Sequence, residues 1–205
     1  MRKPSKIKKF NSAIKMLGTD NLALYGMKRF YARYALAYEF EGLKIKNMGA
    51  RTIRGYSAMF EVMIAYSAFD AMLEGVEIFQ VRTDIKLNRL QHKIENQEKL
   101  AATIREKCGD ILDIALQHCE RKLRKQIYSF LKEEHDNVFF VAAAIRHVTA
   151  HGLLSVNGAR LDLARNVEVF RKLASLILQH TDQQFEKFAD QVYDYAAAHS
   201  GYDGL

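Results

Sequence analysis

Apolar residues recur along most of the chain at steps of three and four, which is the period of a helix and not of a strand. Ile7, Phe10, Ile14 and Leu17 form the first stripe, and Gly18 stops it, with Thr19 or Asp20 placed to cap the next helix. In "NLALYGMKRFYARYALAYEFEG" the stripe is Leu24, Met27, Phe30, Tyr31, Tyr34 and Tyr38, closing at Gly42. Aromatics at helical spacing predict packing rather than a base-stacking platform. After a loop with Asn47 and Gly49, "YSAMFEVMIAYSAFDAMLEGVEIF" predicts a strongly apolar helix. Met59, Val62, Met63, Tyr66, Phe69, Leu73 and Val76 give it a broad buried face. Asp70 shares that face, where a carboxylate is costly unless paired. It reads either as a structural ion pair or rim position, or as a partner for a functional Arg or His.

From Asp84 the stripe narrows. Leu87, Leu90, Ile94, Ala101, Ile104 and Cys108 follow heptad-like steps, Gly109 interrupts, and the pattern resumes from Ile111 through Leu131. Residues 84–132 therefore predict a long helical hairpin, with "RKLRK" on its solvated side. "EEHDN" supplies Asp136 or Asn137 as the cap of a helix running from Val138 to near Gly152. After the turn "SVNGARLD", two last helical segments are expected, Leu161–His180 and Phe185–Ala198. No stretch alternates as a strand. The expected architecture is a single all-α domain over residues 1–205, a helical bundle with the 84–132 hairpin inserted.

Composition narrows the class. The chain has 205 residues, 49% of them hydrophobic and 27% charged, with a single proline at Pro4. That is the balance of a folded globular protein. The net charge of +7 admits an anionic partner without identifying one. Part of it lies in "MRKPSKIKK", which reads as a basic, solvated N-terminal arm over about residues 1–9. Cys108 and Cys119 lack metal-site or redox-motif spacing and fit a reducing cytoplasm. No apolar run reaches the length of a membrane span, and the first residues lack the apolar segment of a secretory signal.

The chemistry concentrates in "AAAIRHVTAHGLLSVNG", where Arg146, His147 and His151 fall within six residues. At 100° per residue His147 and His151 stand about 40° apart on a helix, and Arg146 about 140° from His151. Gly152 suits the position just past a helix end, which puts His151 in the last turn. Three readings fit these residues. His at i and i+4 is metal-ligand spacing, but Val148 stands where a zincin motif has its catalytic glutamate. Histidines near a helix end also cap carbonyls or pair with acids. Finally, cleavage of RNA by its own 2′-hydroxyl needs a proton acceptor, a proton donor and positive charge on the phosphorane. Two histidines and an arginine supply these without a metal or other cofactor.

"IRHVTAHG" resembles the Arg-x4–6-His motif of the HEPN superfamily, with Arg146 and His151 in the motif positions and Gly152 matching a common ending. "YSAFDAMLEG" is similar to the long apolar helix that packs beside the motif helix in that family. His147 stands after the arginine, where asparagine is common, and the 84–132 hairpin has no counterpart. The resemblance implies an all-α bundle of the HEPN type that dimerises through the motif helix and forms a composite site. It further implies a metal-independent endoribonuclease of toxin–antitoxin, phage-defence or RNA-processing systems, with RNA as substrate and an antitoxin as a further partner. The alternative it implies is a non-catalytic member binding RNA, nucleotide or protein. The expected roles are charge stabilisation for Arg146, acid–base work for His151 and orientation or shared proton transfer for His147. Asp70 would fix one of these side chains.

Overall fold

Among the residues described by the computed structural model, 3–18, 24–85, 94, 97–151 and 163–199, all regular structure is helical. The helices are α1 (Ile7–Leu17), α2 (Tyr25–Glu39), α3 (Ala50–Thr83), α4 (Glu98–Lys107), α5 (Gly109–His118), α6 (Arg121–Leu131), α7 (Val138–Ala150) and α8 (Val167–His199). A 3₁₀ turn, Leu163–Asn166, leads into α8. The all-α class is thus as the periodicity predicts. No helix is long and apolar enough to cross a membrane among the described residues.

Several boundaries follow local chemistry. Gly18 ends α1 in the left-handed region at φ 59°, and its N–H reaches the Ile14 and Lys15 carbonyls. Only glycine takes that conformation without crowding a Cβ. Asn137 caps α7, its Oδ1 accepting from the Phe139 N–H at 3.1 Å. Thr19, Asp20 and Gly152 lie outside the described residues.

Two expectations change. The 84–132 segment is, where described, three short helices and not two long arms. Cys108 separates α4 from α5, and Cys119 turns extended at φ −73°, ψ 158° before α6 begins. The second break lets the apolar face of α6, Ile127 and Phe130, fold back against α5 and α7. The two final segments are in turn one continuous helix, α8. "HTDQQ" reads as a polar gap, but His180, Thr181 and Gln184 are buried and the helix runs through them without a break.

Contacts group the chain into two units. The first comprises residues 1–39, 68–91 and 178–205. Its core is an aromatic cluster in which Phe10 meets Phe188 at 5.3 Å between ring centroids, Phe30 meets Phe185 at 5.3 Å, and Phe79 meets Phe188 at 5.5 Å. Such tilted and edge-to-face pairs add to the area they bury. The basic start is docked here over its described part instead of standing free. Pro4 is buried, the Ser5 N–H donates to Asp182 Oδ1 at 2.9 Å, and Lys6 and Lys9 both reach Asp190 at 2.7 Å. Those ammonium groups, Lys6 first and Lys9 second, hold the Asp190 carboxyl below the usual carboxylate range. In the same unit α2 and α3 cross at Gly26 and Gly75, where a Cβ on Gly26 would lie 2.5 Å from Gly75 Cα.

The second unit comprises residues 40–67 and 92–177. Helix α7 is its apolar centre, burying Val138, Val141, Ala142, Ala144, Ile145 and Val148 against α5 and α6. Arg105 fixes the turn between α6 and α7. Its Nε donates to the Phe130 carbonyl at 2.7 Å, and Nη2 donates to the His135 carbonyl at 2.8 Å and to Asp136 at 2.7 Å. The guanidinium also lies 4.5 Å from the Phe130 ring centroid. Its side chain is only 14% exposed, so truncation would strand acceptors that water reaches poorly. Arg105→Ala is expected to cost about 2–4 kcal/mol, read from urea unfolding. Native stability in that variant would show the clamp to be idle.

Both cysteines are buried, free thiols. Burial pushes the Cys108 thiol up to about 12 and raises Cys119 as well. Since the thiolate is the nucleophile, neither should react with iodoacetamide at pH 8 in the folded protein, and both should once it is unfolded. Mass spectrometry of the alkylated protein checks this; rapid native labelling of Cys108 would contradict it.

Candidate functional site

The site is built at the C-terminal end of α7. Its first two turns are largely committed to the core, so the polar groups gather in its second half, from Arg146 onward. The helix ends at Ala150, and His151 closes it at φ −87°, ψ 5°, its N–H donating to the His147 carbonyl at 3.1 Å. This closure keeps His151 over His147, as the i, i+4 spacing predicts. Their ring centroids are 4.5 Å apart with planes inclined by 51°. His151 is exposed, while His147 and Arg146 are half-buried.

Each of the half-buried groups has a defined neighbour within the second unit. His147 Nε2 lies 3.2 Å from the His118 carbonyl at the end of α5. A carbonyl oxygen only accepts, so this contact keeps a proton on Nε2 and directs Nδ1 elsewhere. It also satisfies one of the carbonyls that a helix end leaves without an internal partner. His147 therefore fulfils the capping reading, across helices and not within its own. The Arg146 guanidinium carbon lies 5.9 Å from the Tyr66 ring centroid, at the edge of cation–π range, which ties the arginine to α3.

Arg146, His147 and His151 are thus brought together at one helix end. Asp70 is half-buried on α3 and belongs to the first unit, whereas those three belong to the second. Among the described residues no group of three or more His, Cys, Asp or Glu side chains converges as a metal site. His118 is the group that sequence reasoning missed. Its contribution is a backbone oxygen, which every residue carries, so the sequence holds no signal for it. Tyr66 is recognisable from its apolar stripe only as a core residue.

Among the described residues, fold and site together define an all-α protein that presents an arginine and a histidine pair at the C-terminal end of a largely buried helix. Comparison with protein-family models, with curated proteins and with solved structures found no match in any of the three.

Proposed function

We propose that the chain is a HEPN-type, metal-independent endoribonuclease working as a homodimer. The observation that carries the reading is the His147–His151 ring pair, 4.5 Å apart at the exposed end of α7, with Arg146 one residue before it. The likeness to the superfamily rests on Arg146–Gly152 and on the Ser57–Gly75 helix. The reaction in this reading transfers the 2′-hydroxyl proton to a base as O2′ bonds to phosphorus. The bond from phosphorus to O5′ breaks as an acid protonates O5′. The products are a 2′,3′-cyclic phosphate and a 5′-hydroxyl. Histidine can serve as base and acid, and the guanidinium can hold the doubly charged phosphorane.

The contacts favour a division of labour. His151, exposed and free to meet solvent-borne substrate, is the proton-transfer group. His147, tied through Nε2 to the His118 carbonyl, orients its neighbour and the phosphate. Two copies of this helix end facing one another would supply an acid and a base from separate protomers. An RNA target in a toxin–antitoxin or phage-defence setting, with a protein antitoxin, belongs to the same reading. The non-catalytic alternative would use the same cations to hold RNA, nucleotide or protein.

The test is incubation of the protein with labelled RNA in EDTA. Cleavage leaving 2′,3′-cyclic ends, lost in Arg146→Ala and His151→Ala, is the expected result. Cleavage surviving both substitutions would overturn the mechanism. Binding without cleavage would favour the non-catalytic alternative. A monomer by sedimentation at working concentration would remove the composite site.

A further inference from the structure

Helix α6 has two unlike faces. Ile127 and Phe130 are fully buried, while Arg121, Lys122, Arg124 and Lys125 are all exposed. None of these four cations forms an ion pair among the described residues. Tyr128, 53% exposed, follows Arg124 by four residues and Lys125 by three, so it sits on the same side. Lys132 extends the strip, its ammonium 4.5 Å from the Tyr128 ring centroid. From Arg121 to Lys132 the strip runs roughly 16 Å along the helix.

Its position gives the strip a use. The His147 ring bonds the carbonyl of His118, and Arg121 opens α6 three residues later. Three residues span at most about 11 Å, so the cationic strip is rooted within that distance of the backbone that holds His147. We propose that the exposed face of α6 is the substrate track: it binds the phosphates of single-stranded RNA and leads the chain to Arg146, His147 and His151. This rests on the ribonuclease reading of that site. Lysine and arginine on one helix face match a row of phosphates, and Tyr128 offers one ring to a base. An anionic membrane fits less well. A helix that lies in a lipid surface inserts its apolar face, and here that face is spent in the protein core.

The experiment compares the native chain with R121Q/K122Q/R124Q/K125Q, using anisotropy of a labelled, unstructured RNA between about 50 and 200 mM salt. Each lost phosphate contact should remove about 0.7 from the salt slope, so the variant should lose about 2–3 and bind at least about tenfold more weakly at low salt. Tyr128→Ala should weaken binding with the slope unchanged. Arg146→Ala should slow cleavage by about 10²–10³-fold while keeping most of the slope. Circular dichroism melting of all variants should match the native chain, since the substituted groups are not in the core. Should the quadruple variant instead bind with native affinity and slope, or the native chain not bind RNA at all, the track is wrong. The same holds if the substitutions weaken only adsorption to anionic vesicles or to polyglutamate. The two readings fail separately. RNA binding with the expected slope change but no cleavage keeps the track and removes the catalytic reading. Cleavage with an unaffected quadruple variant does the reverse.

Discussion

Arg146→Ala is expected to slow RNA cleavage by about 10²–10³-fold, the usual effect of removing one group that stabilises a charged transition state. His151→Ala should cost about 10²–10⁴-fold, as loss of a general acid or base does. Both losses should fall on kcat more than on KM, because phosphorane charge and proton transfer develop only in the transition state. His147→Ala should cost less, since that ring is held by the His118 carbonyl and acts on its neighbour. Single-turnover cleavage in EDTA measures all three. Arg146 is half-buried and His151 exposed, so their melting curves should stay close to native. Equal, small losses in all three variants would contradict the assignment of roles.

The largest effect on stability is expected at the crossing of α2 and α3. In an open helix Gly→Ala stabilises by about 1 kcal/mol. At Gly26 the added methyl would meet the Gly75 backbone at 2.5 Å, and a backbone cannot rotate away as a side chain can. Gly26→Ala should therefore destabilise by about 1–3 kcal/mol, the scale of overpacking, despite the gain in helix propensity. Gly109→Ala is the control, because nothing lies within 4 Å of its added methyl. It should be neutral or mildly stabilising in the same urea titration. If Gly26→Ala matched it, the two helices would not be in close contact there.

Three glycines illustrate what could be read from sequence and what could not. Gly18 announces a helix end because it interrupts an apolar stripe and is followed by capping residues. Gly26 and Gly75 lie inside stripes, and only the partner helix reveals why they are small. Asn137 was legible as a cap from local chemistry alone. The continuity of α8 was not, because His180, Thr181 and Gln184 have the polarity of a loop while lying in the interior. The break at Cys119 was equally hidden: a buried cysteine continues an apolar stripe whether or not the backbone does. At the candidate site, i, i+4 spacing was enough to bring His147 and His151 together. Nothing in the spacing shows that a second helix, through a carbonyl, holds one ring and leaves the other exposed.

The docking of the basic start also has a consequence in time. Ser5 bonds to a residue 177 positions further along, and Lys6 to one 184 positions further. During synthesis at about 5–20 residues per second, α1 waits roughly 10–35 s for these partners. Through that interval the stripe carrying Phe10 and Ile14 can meet Phe79 but lacks the part of its core that Phe185 and Phe188 supply. A nascent chain stalled before Asp182 should therefore expose this stripe to trigger-type chaperones and to proteases, and one released after Asp190 should not.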